Sequence, residues 1–251
     1  MKHLYEAITW NNKSIPFVMG RLIVEYDMRR AGLSVIKEFN LLPQEQINKL
    51  ESMGKKKADI AIGKMRKKSD FSNKFKTAME EARKLFIESN RLEEPDIISI
   101  KNDAIFTIGR CEHLKFGNIE FRMKNQYTSF IAIDQLQFFY SPYQMDIKGL
   151  GDEAERLHEK YWIDTIRQYI SLMENSDKKE VLYFMRRLAD DYKSFQLATD
   201  YYREFSVQSK YRTLDGDLYG EYWDNKKEEL DITYNYDKLI LPMVLLAMKY
   251  E

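Results

Sequence analysis

Between Ile97 and Tyr140 the chain runs through five short β-rich segments separated by turn residues, and this succession restricts the fold more than any other feature. Residues 97–101 (IISIK) and 104–108 (AIFTI) enclose only Asn102-Asp103, which predicts a tight hairpin with Asp103 at its tip. Residues 116–122, 127–133 and 136–140 read as further strands. Upstream, residues 22–27 (LIVEYD) read as a strand that ends in Asp27 before a helix over residues 29–40. Pro43 opens a second helix that stops near Gly54. Phe75, Met79, Ala82 and Phe86 recur at spacings of three and four, which puts them on one helical face, and Glu94-Pro95-Asp96 ends that helix. From residue 152 the pattern turns helical, over 152–173, 177–195 and 236–250. The expectation is an α+β fold: an antiparallel sheet with packed helices, followed by a helical C-terminal region. The composition shift at Gly149-Leu150-Gly151 suggests domains over 1–150 and 151–251, with a basic helical insertion over about 40–95 in the first.

Composition narrows the function classes. With 44% hydrophobic and 32% charged residues the chain has a core to bury and is not globally disordered. The single cysteine, Cys111, rules out an internal disulfide framework and points to a reducing compartment. No leader is visible, and the longest apolar stretch, residues 239–248, is about half of what a bilayer requires and contains Pro242. The expectation is a cytoplasmic protein with no membrane partner. Forty basic residues balance forty acidic ones, which excludes a uniformly cationic nucleic-acid binder but not a local patch. Such a patch exists. Lys55, Lys56, Lys57, Lys64, Arg66, Lys67, Lys68, Lys74 and Lys76 are opposed only by Asp59 and Asp70. It reads as a phosphate-contacting segment or as a solvated helical face.

If the strands ending at Asp27 and Asp103 are neighbours, their carboxylates converge at one sheet edge. Hard oxygen ligands there suit Mg²⁺ (or Mn²⁺), which takes one or two carboxylates together with water and substrate phosphates. Two such ions would stabilise the attacking and leaving oxygens of phosphoryl transfer. Aspartates also stand at strand ends and turns simply because they cap and turn the chain. Other candidates are weaker. Cys111 and His113 lack a second ligand cluster for Zn²⁺, His3 and His158 are isolated, and no phosphate-binding Gly-rich motif is present. Tyr201, Tyr202, Tyr211, Tyr219 and Tyr222 are core or partner-surface residues before they are base-stacking ones.

The order of the pieces adds to this. Ser34 lies seven positions after Asp27; Lys55 lies eight before Gly63; Asp103 sits at a hairpin tip; Lys124-Asn-Gln-Tyr127 follows; and Lys148-Gly149 precedes the helical region. In that order the set resembles the palm of family B DNA polymerases over about residues 20–150, with a thumb-like region beyond. The resemblance implies a metal-dependent nucleotidyltransferase, polymerase-like or primase-like, acting on primer–template nucleic acid and nucleoside triphosphates. Asp27 and Asp103 would hold the metal pair and Lys55 would meet the incoming phosphates. Arg29, Arg30 and Gly32 would line the nucleotide site. Lys56, Lys57, Lys64, Arg66, Lys67, Lys68, Lys124, Tyr127 and Lys148 would follow the nucleic acid. The chain also departs from the pattern. Lys101 replaces the family's first hairpin Asp, the polar residues between Lys55 and Gly63 are lost, and Gly32 stands where an aromatic usually screens the ribose 2′-hydroxyl, which implies poor discrimination against ribonucleotides. These departures keep other readings open: a piece of a split enzyme completed by another polymerase subunit, a catalytically inactive palm-like accessory that binds nucleic acid or protein, or a viral interaction protein acting in the host cytoplasm.

Overall fold

The computed structural model describes residues 4–5, 9–149, 160–202 and 232–250. It is an α+β protein with antiparallel sheets and a C-terminal helix, as the sequence predicts. The strands are β1 (Thr9–Asn11), β2 (Phe17–Val18), β3 (Ile23–Met28), β4 (Ile97–Lys101), β5 (Ala104–Ile108), β6 (Lys115–Phe116), β7 (Ile119–Tyr127), β8 (Ser129–Ile133), β9 (Leu136–Ser141) and β10 (Gln144–Lys148). The helices are α1 (Ala31–Glu38), α2 (Gln44–Ser52), α3 (Lys55–Met65), α4 (Ser69–Ser89), α5 (Lys160–Asn175), α6 (Lys178–Lys193) and α7 (Leu241–Lys249). A π-helical turn, Tyr236–Ile240, leads into α7.

Two compact units result: Met1–Ile15 with Arg21–Gln126, and Pro16–Gly20 with Tyr127–Glu251. In the first, the sheet order is β1-β4-β5-β3-β7-β6. Strand alternation decides which side chains meet the helices. Val24, Tyr26 and Met28 of β3 join Ile119 and Phe121 of β7 in a core shared with Leu33, Val35 and Ile36 of α1 and Ala78, Ala82 and Phe86 of α4. Glu25 and Asp27, and Glu120, Arg122 and Lys124, therefore project from the opposite face. Phe86 is fully buried, its ring 5.3 Å from Tyr26 and 4.4 Å from Phe121 between centroids. Ile47 and Leu50 of α2 and Ile62 of α3 enter the same core, so the helical insertion is built into this unit.

The second unit has a sheet ordered β10-β9-β8-β2. Ile131, Ile133, Leu136 and Phe138 from its strands pack in one core with Trp162, Ile166 and Ile170 of α5, Val181 and Met185 of α6, and Met243 and Leu246 of α7. Because these strands bury their apolar face against the C-terminal helices, the division falls at Gln126/Tyr127 and not near Gly149, where the sequence places a domain boundary. The change of composition there marks a change of secondary structure inside one unit. Residues 239–248 show an amphipathic face: Leu239, Ile240, Met243 and Ala247 are buried while Leu241, Leu245 and Met248 are exposed. The start of the helix expected over 152–173, together with Gly151, His3, His158, Tyr211, Tyr219 and Tyr222, lies outside the described residues. Among the described residues no helix is long and apolar enough to cross a membrane.

Phe86→Ala is expected to destabilise the first unit by about 3–5 kcal/mol, since it removes a buried ring between two others. Leu245→Ala on the exposed face of α7 should change stability by less than about 0.5 kcal/mol. Urea denaturation followed by circular dichroism measures both; similar midpoints for the two variants would contradict this packing.

Candidate functional site

The ladder between β3 and β5 builds the site. Ile23 pairs with Ile108, Tyr26 with Ile105 and Asp27 with Ala104, so Asp103 stands at the same sheet edge as Asp27, one residue along. The Met28 N–H donates to the Asp103 carbonyl at 3.0 Å and continues the ladder into the turn. Asn102 takes a positive φ of 55°, which Asn tolerates. Arg83 of α4 supports the tip from below. The residue is 2% exposed, and its guanidinium donates to the Asn102 carbonyl at 3.1 Å and to the Tyr5 carbonyl at 2.7 and 3.0 Å. Asp103 is half-buried. Burial pushes its carboxyl above the usual range, its own backbone N–H opposes this, the negative charge of Asp27 adds to the rise, and Lys124 and Lys55 pull it back down. The charges of Asp27, Lys124 and Lys55, all distant in sequence, thus reach Asp103.

On the face opposite the core, β3 and β7 carry a ladder of ion pairs. Arg29 meets Glu120 at 3.3 Å, Arg122 meets Asp27 at 3.2 Å and Lys124 meets Glu25 at 3.1 Å. Exposure falls along it: the side chains are 64% and 44% exposed in the first pair, 54% and 20% in the second, 44% and 2% in the third. Glu25 also accepts from Asn125 Nδ2 at 2.7 Å, so its buried carboxylate is gripped by two donors.

Beside this edge lies a cavity of about 390 Å³ lined by Gly32, Arg66, Phe75, Lys76, Arg83 and Asp103 among others. Its wall carries cationic heads above an apolar floor. The Arg66 guanidinium stands 4.9 Å from the centre of the Phe75 ring, a cation–π contact. Gly32 lines the cavity where the resemblance expects an aromatic, and the structure supplies a packing reason. A Cβ there would approach the Ile62 side chain to 3.2 Å, so the absent side chain lets α3 lie close to α1. Lys55, Lys56 and Lys57 occupy the first turn of α3, which contains no acid. Cations at that end oppose the helix dipole. Lys55, Lys56, Lys57, Lys64, Arg66, Lys67 and Lys68 are all exposed, whereas Lys74 is paired with Asp70 on α4 at 2.9 Å.

The remaining expected positions divide. Arg30 caps α1 with a positive φ of 49°, and its Nη2 is buried without a hydrogen-bond partner among the described residues. Ser34 donates to the Arg29 carbonyl at 2.7 Å and so fastens the turn after Asp27. Lys101, in place of a family aspartate, donates to Asn11 Oδ1 at 2.6 Å on β1. Tyr127 does not lie on a nucleic-acid-facing surface as expected. It is 1% exposed, packs on Phe139 and donates its hydroxyl to Asp146 within the second unit, because its place on the strand points it into that core. Lys148 ends β10 in the same unit, paired in register with Gln137. Tyr202 is buried against Tyr192, a core role. Cys111 is buried and its thiol pushed up by burial, consistent with an inert side chain.

Glu25, Arg122 and Arg83 escape a reading based on motifs. A charged residue inside the apolar run IVEYDM was the available signal for Glu25, and the Arg-x-Lys spacing of residues 122–124 was the signal for the basic side of the ladder. Among the described residues no group of three or more His, Cys, Asp or Glu is placed to hold a metal ion. The carboxylates at this edge are those of Asp27 and Asp103. Their hard oxygens and mutual repulsion fit a divalent cation such as Mg²⁺ or Mn²⁺, which takes its other positions from water and phosphate.

A comparison with curated proteins finds no match. A family model described as bacteriophage PBS1 gene 130 protein matches residues 1–243, which span the sheet, the basic helix and both compact units, and the chain belongs to that family.

Proposed function

We propose that the first unit is a palm-like, metal-dependent nucleotidyltransferase acting on primer–template nucleic acid in the cytoplasm of a phage's host. One observation carries the reading. The register that sets Asp27 opposite Ala104 brings the carboxylate of a strand end and that of the neighbouring hairpin tip to one edge, with Lys55 at the start of α3 near enough to act on Asp103. Bound there by Asp27 and Asp103, Mg²⁺ or Mn²⁺ would stabilise charge on the reacting phosphate oxygens. The chain's own residues do the rest. Lys55, close enough to act on Asp103, offers a point charge to phosphate. Lys124, anchored by Glu25, keeps a fixed positive charge beside the carboxylates. The exposed α3 cations present a backbone-binding face. Arg66 over Phe75, with Lys76 also lining the cavity, suits an anion with an apolar portion, as a nucleoside triphosphate has.

A second reading, a palm-like scaffold that binds nucleic acid without turnover, draws on the pairing of Asp27 with Arg122 and on the absence of a third carboxylate among the described residues. Primer extension separates the two. With Mg²⁺ or Mn²⁺ present, Asp27→Ala and Asp103→Ala should each lower extension by at least about a hundredfold. Unchanged extension in one of them, or none in the wild type, favours the non-catalytic scaffold.

The α3 lysines stand at the unfavourable helix end. Replacing Lys56 and Lys57 by Glu should therefore stabilise the fold by about 0.5–1 kcal/mol while weakening duplex binding and flattening its salt dependence. Melting curves and salt-titrated anisotropy read the two effects; stability lost together with binding would count against it.

Asp103 yields a pH prediction. A carboxyl raised above its usual 3.8 binds its proton more tightly folded than unfolded, so its contribution favours the fold at low pH and fades as pH climbs through the raised value. Asp103→Asn should melt higher than the wild type at neutral pH and equal to it in strong acid. A variant less stable than the wild type at neutral pH would show the ionised carboxylate to be structurally required.

A further inference from the structure

We infer that Arg122 is an exchangeable counter-ion: it holds Asp27 in the free protein and moves to a nucleic-acid phosphate when a divalent cation takes the carboxylate. The inference rests on the two-carboxylate reading above and deepens it by naming the residue that couples cation binding to nucleic-acid binding.

The ladder between β3 and β7 separates one fixed rung from one exchangeable rung. Lys124 and Glu25 form the fixed one. The Glu25 side chain is 2% exposed and held by both Lys124 and Asn125, and removing a donor would strand a buried charge. The middle rung differs in each respect. Arg122 reaches Asp27 through one contact of 3.2 Å, and its side chain is 54% exposed. Solvent screens the pair from the Arg122 side, and a single contact of this kind contributes little to stability; the Asp27 side chain, 20% exposed, is the more enclosed partner. Asp27 is also the ladder acid beside Asp103, whose carboxyl responds to the charge of Asp27. A doubly charged cation shared by two carboxylates outcompetes a single guanidinium at one of them.

Release leaves Arg122 with a planar fork of donors matched to phosphate. Charge stays balanced throughout: the guanidinium passes from a carboxylate to a phosphate as the cation replaces it. The outer pair, Arg29 with Glu120, is more open still, but it is the charge of Asp27, and not that of Glu120, that acts on Asp103.

The test uses the full chain as wild type, Arg122→Gln, Arg122→Lys and Arg122→Gln combined with Asp27→Asn. Mn²⁺ binding without nucleic acid is read by electron paramagnetic resonance, and binding of a labelled primer–template DNA by anisotropy across a salt series. Arg122→Gln should bind Mn²⁺ about threefold to tenfold more tightly than the wild type. The gain should vanish when Asp27→Asn is added. The same variant should bind DNA more weakly, with a log–log salt slope shallower by about one. Arg122→Lys should fall between. Wild-type melting curves for Arg122→Gln exclude misfolding, as its exposure leads one to expect. Unchanged or weaker Mn²⁺ binding in Arg122→Gln, or an unchanged salt slope, overturns the exchange while the carboxylate site stands. Failure of Mn²⁺ to bind wild type and Arg122→Gln alike removes the site and the exchange with it.

Discussion

In the first unit, the backbone ladder between β3 and β5 sets which side chains share an edge. Its pairs run from Ile23 with Ile108 to Asp27 with Ala104 and end in the hydrogen bond from Met28 to Asp103. A slip of one residue would turn Val24, Tyr26 and Met28 away from the helices and Glu25 and Asp27 into the core. The apolar alternation that buries the sheet is therefore the same constraint that keeps the acids on the open face. Arg83 adds a second restraint by tying the hairpin tip to α4.

Electrostatics then grades the site. Glu25 is buried and doubly bonded, Asp27 is partly open and singly bonded, and Asp103 is half-buried beside a like charge. Each carboxylate meets a different dielectric and a different set of donors, so chemically similar groups take different roles. Lys124 and Lys55 temper the negative charge at this edge without cancelling it. The lysines at the start of α3 are placed against the helix dipole, a local cost that a polyanionic ligand would offset.

The second unit shows how far local pattern reaches. Strands β8 and β9 and helices α5 to α7 were visible as periods of two and of 3.6, while β10 was not read as a strand, and the shared core was not visible either, because periodicity marks an apolar face without naming what covers it. Tyr127 illustrates the same gap. Beside Lys124 in a short motif it reads as a surface contact, yet on a strand it points into the core and meets Phe139 and Asp146. Gly32 reads as a lost side chain, and packing against Ile62 accounts for it.

By itself the sequence determined the α+β class, the hairpin that presents Asp103, the strand that ends in Asp27 and the cationic segment that became α3. These follow from local rules, in which turn residues, alternation and charge act over a few positions. Only the tertiary structure decided that Asp27 and Asp103 lie at one edge, that Arg122 and Lys124 take different acids as partners, and that the units divide after Gln126. Those outcomes depend on strand order and on which apolar faces bury one another, contacts between residues about a hundred positions apart that no local pattern encodes.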